Sequence, residues 1–85
     1  MVDCASDYDN HGCNGGLPSH AFEYIKDNGG LTTEDQYPYV AQTNNCSLTN
    51  QIRVVGIRGG AVNISLSEDD LRIALFQNGP ISVAF

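Results

Sequence analysis

The sequence predicts an α+β fold, and three observations predict it. Two stretches, 17–28 and 67–78, space their apolar residues as amphipathic helices do. Two short segments, 52–57 and 81–85, carry the β-branched content or the period-two alternation of strands. A turn-rich excursion over 31–51 separates the first helix from the first strand. The chain has 85 residues, the size of one small domain. At that size only about 60 to 65% of the unfolded surface can be buried, so a marginal core is expected.

The first helix rests on Leu17, Ala21, Tyr24 and Ile25, with Phe22 beside them, which is the i, i+4, i+7, i+8 stripe. Pro18 suits a first helical position because its missing N–H is one of the unpaired donors of that turn anyway. Asn28-Gly29-Gly30 supplies a stop through a left-handed residue. From Leu31 to Gln51 the periodicity dissolves into LTTEDQYPYVAQTNNCSLTNQ, in which Tyr37-Pro38-Tyr39 forces an extended step at the residue before proline. This reads as a surface excursion pinned by aromatic side chains and by Cys46. IRVVGI at 52–57 follows as a strand, ended by Gly59-Gly60.

The second helix begins at Ser67, a good N-cap, with Glu68, Asp69 and Asp70 on the first turn where the helix dipole favours negative charge. Leu66 and Leu71 occupy the two positions of a hydrophobic staple. Leu71, Ala74 and Leu75 form the buried stripe, and Asn78-Gly79-Pro80 ends it. In ISVAF, Ile81, Val83 and Phe85 alternate with Ser82 and Ala84, as in a half-buried strand. A strand ending on a large apolar residue, and a cysteine almost at the first residue, lead us to expect the interior of a longer protein.

Composition narrows the function. The formal charge is −6, and the four basic residues, Lys26, Arg53, Arg58 and Arg72, are scattered. No patch can neutralise several phosphates at once, which argues against a nucleic-acid partner. No apolar run approaches the roughly 20 residues that span a bilayer, and MVDCASDYD has neither the basic start nor the apolar stretch of a secretory signal, so any targeting segment is expected elsewhere.

The three cysteines, Cys4, Cys13 and Cys46, are an odd number in a glycine-rich, loop-rich chain. They leave either a free thiol or a bond to something outside the chain, and they point to an exported protein. Three reduced, buried thiols are the plain alternative. A zinc site built from Cys4, His11, Cys13 and His20 would need a CxxC or HxxxH unit that the sequence lacks, so no metal is expected.

VDCA at 2–5, GCNGGLPSHAFEYIKDNGG at 12–30, TEDQYPY at 33–39, the later Cys46 and GPISVAF at 79–85 stand in the order and spacing of the papain-like cysteine peptidases. The chain resembles that family over essentially its whole length. The wording is nearest the cathepsin H and plant aleurain subgroup, as is VNIS before an acidic helix start. The resemblance implies a fragment of the two-domain papain-like fold. Residues 1–58 would belong to the later part of the helical left domain, and residues 59–85 to the first elements of the β-barrel right domain.

The family's nucleophile lies in a CGSCW-type signature upstream of this segment, and its histidine and orienting asparagine lie downstream. Cys4, Cys13, Cys46, His11 and His20 match none of those contexts, so this chain alone is expected to be inactive and to need no cofactor. The resemblance instead implies a substrate-binding wall. Asn14, Gly15 and Gly16 run along the cleft, and Gly16 exchanges backbone hydrogen bonds with a peptide substrate, because only a residue without Cβ lets another backbone come so near. Leu17, Pro18 and Ala84 line the neighbouring side-chain pocket.

By the same pattern Cys4 and Cys46 form a bridge, while Cys13 bonds an upstream cysteine or remains a free thiol. Asn63 and Asn45 head N-glycosylation sequons. The implied partners are peptide or protein substrates, a cystatin-like inhibitor and the remainder of the peptidase. The implied compartment is the lysosome or vacuole, or the outside of the cell. Two rivals stand beside this reading: a non-catalytic module that binds peptides or cystatins, and a disulfide-stapled structural protein derived from the family.

Overall fold

The computed structural model describes residues 1–48 and 52–85; the expected end of the excursion at 49–51 lies outside the described residues. Two α-helices dominate, α1 over Pro18–Asp27 and α2 over Glu68–Asn78, preceded by two single 3-10 turns at Ser6–Tyr8 and Gly12–Asn14.

Helix α1 forms as its local signals require. Pro18 opens it behind an extended Leu17, whose carbonyl accepts the Ala21 N–H at 3.0 Å. At the far end the Gly29 N–H bonds the Lys26 carbonyl and the Gly30 N–H bonds the Ile25 carbonyl, with Gly29 at φ 83°. This is the paired-bond Schellman stop, which satisfies carbonyls that the helix leaves open. The inner face buries Tyr24 and Ile25 against Ala5, and Cys4, Tyr8, Leu31 and Ile57 pack around them. Tyr8 meets Tyr24 edge to face, with centroids 5.6 Å apart, and donates its hydroxyl to Asp27 at 2.9 Å. That bond to a carboxylate favours the neutral phenol and raises the Tyr8 pKa above its ordinary value.

Helix α2 is capped as expected, the Ser67 hydroxyl accepting the Asp70 N–H at 3.4 Å. Its apolar stripe, however, buries no residue. The expected staple is open: Leu66 is fully exposed, at 108%, and so has nothing to close upon Leu71. Capping is a local transaction between neighbouring backbone groups, whereas a stripe is buried only against another element.

Neither expected strand forms among the described residues. Segment 52–57 contributes a single antiparallel bridge, in which the Leu31 N–H bonds the Val55 carbonyl at 2.7 Å and the Val54 N–H bonds the Leu31 carbonyl at 2.8 Å. Segment 81–85 makes no ladder at all, and Phe85 is 120% exposed. Alternation records which face a segment can bury, but a strand exists only when a second strand takes up its N–H and C=O groups. Among the described residues the final segment finds none.

The excursion is pinned as expected, and by more than its aromatic residues. Cys4 and Cys46 are disulfide-bonded across 42 positions. Beside the bridge, Asp3 accepts the Tyr37 hydroxyl at 2.7 Å through one carboxylate oxygen and the Asn44 N–H at 2.9 Å through the other. The Tyr37 oxygen in turn accepts the Ser47 N–H at 3.2 Å.

The Asn44 and Tyr37 bonds favour ionised Asp3 and hold its pKa below the ordinary 3.8. A depressed native pKa makes this contribution complete above the ordinary value and lost as the pH falls through the native one. An acid titration followed at the Asn44 amide is therefore expected to show a midpoint below 3.8. In Asp3→Asn that transition should be absent.

Candidate functional site

Residues 10–17 make a closed turn whose outer rim is exposed from Cys13 to Pro18. Each side of its neck is fixed by a hydrogen bond. The His11 N–H bonds the Gly15 carbonyl at 2.7 Å, and the Asn10 Oδ1 accepts the Leu17 N–H at 3.3 Å. The Asn10 amide nitrogen donates to the carbonyls of Ala5 at 3.2 Å and Tyr8 at 3.4 Å, which ties the neck to the 3-10 turn beneath the core. From the far side Thr43 leans in, its hydroxyl accepting the Cys13 N–H at 3.0 Å. The excursion thus supports the turn that the glycines occupy.

The two glycines serve different ends. Gly15 sits at φ 110°, a conformation that side-chain-bearing residues rarely adopt, and a Cβ there would meet nothing within 4 Å. Its need is conformational. Gly16 has an ordinary φ, but a Cβ there would lie 2.2 Å from Asn10 Oδ1. Its need is space. Among the described residues neither the N–H nor the carbonyl of Gly16 has a hydrogen-bond partner, and the residue is exposed. Because the Gly15 carbonyl and the Leu17 N–H are both held inward, the opposite ends of those two trans peptide planes, the Gly16 N–H and carbonyl, face outward. The turn therefore offers one donor and one acceptor to an extended chain, the elements of β-augmentation.

Of the residues singled out by sequence, Asn14, Gly15, Gly16, Leu17 and Pro18 are contiguous on this rim. Ala84 is exposed in the unpaired segment after α2, and no hydrogen bond joins it to the rim among the described residues. Cys13 is an exposed free thiol. Both histidines gather on Asp9 rather than on a cysteine: His11 Nε2 is 3.4 Å from the Asp9 carboxylate and His20 Nδ1 is 3.4 Å from the Asp9 carbonyl. No group of three potential metal ligands occurs among the described residues. Asn45 and Asn63 are both exposed. The Ser65 hydroxyl of the second sequon donates to the Asp70 carboxylate. No described helix is long and apolar enough to cross a membrane.

Sequence reading missed Asn10, Asp3 and Thr43, the residues that hold the rim. Polar side chains bonding loop backbone follow no period. The only available hint was the tendency of Asn and Asp to bond backbone groups in turns.

The profile of the family described as "Papain family cysteine protease" matches residues 1–85. The chain is 55% identical to "Pro-cathepsin H" of Medicago truncatula and 49% identical to "Thiol protease aleurain" of Arabidopsis thaliana, in each case over 100% of this chain and 24% of the relative. It is 43% identical to "Cathepsin L-like" of Caenorhabditis elegans over 99% of this chain and 25% of the relative. The chain therefore spans about a quarter of the length of these curated relatives. The family has an α+β fold; among the described residues this segment forms two α-helices and one isolated bridge. On the full-length match and these identities, the chain belongs to the papain family of cysteine proteases.

Proposed function

We propose that this chain forms one wall of the substrate cleft of a cysteine peptidase, holding polypeptide while groups outside these residues cut it. In the intact enzyme the reaction would be peptide hydrolysis, in which a thiolate paired with an imidazolium attacks the scissile carbonyl and forms an acyl-enzyme. The supporting observation is the exposed Gly16 edge, with an outward N–H and an outward carbonyl lacking partners among the described residues. Backbone pairing there grips substrate without regard to side-chain identity. Leu17 and Pro18, next on the rim, would contact the adjacent substrate side chain, with Ala84 opposite them once the flanking chain is in place.

Further points belong to the same reading. Residues 1–58 are assigned to the left domain and 59–85 to the right. This division is supported by a core whose last contributor is Ile57 and by an α2 that buries nothing. The apolar faces left open on α2 and 81–85 would pack against the rest of the peptidase. A cystatin-like inhibitor would compete for the Gly16 edge. Cys13 would bond an upstream cysteine, and Asn63 is the better sequon, since the middle residue of the other, Cys46, is already bridged. A lysosomal or vacuolar site, or secretion, fits a disulfide-bonded member of this family.

The test is a titration of the isotopically labelled, oxidised chain with an extended, uncharged peptide. The Gly16 amide and carbonyl signals are expected to shift together, with little change at Gly29 or Leu31. Signals at Gly16 that stay fixed at saturating peptide would remove the reading and favour a purely structural role.

A further inference from the structure

We infer that Asn10 is a positioning residue for peptide binding, acting through the direction of the Gly16 carbonyl; the inference rests on the cleft-wall reading above. Four observations converge on one carboxamide. Its nitrogen donates to the carbonyls of Ala5 and Tyr8, its oxygen accepts the Leu17 N–H, and that same oxygen fills the space a Cβ on Gly16 would need. Ala5 is completely buried, so one anchor of the carboxamide is part of the core itself.

The two bonds at the neck of the turn control the two halves of the Gly16 edge separately. The bond from His11 to the Gly15 carbonyl fixes the 15–16 peptide plane and thereby the outward N–H of Gly16. The bond from Leu17 to Asn10 fixes the 16–17 plane and thereby the outward carbonyl. Asn10 therefore governs the acceptor half alone, the half that would take an N–H from a bound peptide. It touches no substrate itself. Gly16 is required twice over, by the incoming chain on its outer side and by the Asn10 oxygen on its inner side.

This separation gives a test that general loosening does not mimic. In the labelled, oxidised full chain, amide exchange is read first without peptide. Leu17 is expected to be protected and Gly16 unprotected. Asn10→Ala should reduce Leu17 protection by roughly tenfold, the scale of one net hydrogen bond. Protection at Gly30 and Leu31, which bond Ile25 and Val55, should persist and report that the core is intact. Peptide is then added. In Asn10→Ala the peptide-induced shift of the Gly16 carbonyl carbon should be lost, while that of the Gly16 amide proton is retained.

Equal Leu17 protection in wild type and Asn10→Ala overturns the inference, as does simultaneous loss of both Gly16 shifts with Gly30 still protected. If Asn10→Ala does not fold, Gly16→Ala alone supplies the second route: the new methyl should displace the carboxamide and deprotect Leu17 while protection at Gly30 persists. Unchanged Leu17 protection in Gly16→Ala with Gly30 still protected also overturns it. Normal Leu17 protection in a wild-type chain whose Gly16 ignores peptide is a separate outcome: it removes the cleft-wall reading, and with it any positioning role of Asn10 in binding.

Discussion

Replacing both Cys4 and Cys46 by serine is expected to unfold the segment from residue 1 to residue 48 at room temperature. The bridge closes a loop of 42 positions. On the chain-entropy account, removing it restores freedom to the unfolded chain worth about 4 kcal/mol. Small domains have only about 5–15 kcal/mol in total, and among the described residues the buried hydrophobic side chains are just Ala5, Tyr24 and Ile25. The hydrogen bonds that Asp3 makes to Tyr37 and Asn44 depend on the same proximity and would go with it. The double variant is the informative one, because a single Cys46→Ser would leave Cys4 free to pair with Cys13. Urea unfolding followed by the edge-to-face Tyr8–Tyr24 pair, through near-ultraviolet dichroism, checks the expectation. Coincident curves for the oxidised wild type and the double variant would contradict it.

Gly30→Ala is expected to cost about 3 kcal/mol, the sum of backbone strain at a residue held at positive φ and a steric collision. Gly30 has φ 129°, and a Cβ would lie 2.3 Å from the Val55 carbonyl oxygen, a backbone atom with little room to retreat. Relief would require breaking the Leu31–Val55 bridge, the backbone pairing that, together with the Arg53 guanidinium donating to Asn28 Oδ1 at 3.2 Å, holds 52–57 to the end of α1. Exchange protection at Leu31 and Val54 should therefore collapse first. Gly29→Ala is the control: Gly29 also has positive φ, 83°, but a Cβ there meets nothing within 4 Å. Its expected cost is about 1 kcal/mol, that of the left-handed conformation alone. Equal costs at the two glycines would show that the close approach at Gly30 has no energetic weight.

What could be read from the sequence is what is decided within a few residues. Helix α1, its Pro18 start and its Gly29-Gly30 stop depend on contacts no more than a turn or two apart, and they appear where the pattern put them. The same holds for the Ser67 cap of α2. The strands at 52–57 and 81–85 were illegible for the opposite reason. The β-branched content of 52–57 and the alternation of 81–85 are real, but neither specifies a pairing partner, and a lone edge cannot satisfy its own backbone. The Leu66–Leu71 staple failed for want of a surface to close against.

The site divides in the same way. The glycine-rich rim was visible as composition, and the Cys4–Cys46 bridge only through family likeness, since three cysteines alone leave the pairing open. Asn10 could be read only as a residue type that bonds turn backbone: its partners, Ala5, Tyr8 and Leu17, carry no mark of an asparagine between them. Gly16 looked like a concession to substrate and is also a concession to Asn10.

If these residues hold a polypeptide without cutting it, the chain alone should bind peptide and leave it whole. The most direct measurement incubates the rigorously purified, oxidised chain with a labelled extended peptide, scoring binding by anisotropy and cleavage by mass. Bound, intact peptide is expected, with binding weakened by Gly16→Val. Turnover that survives purification and disappears in Cys13→Ser, His11→Ala or His20→Ala would contradict it.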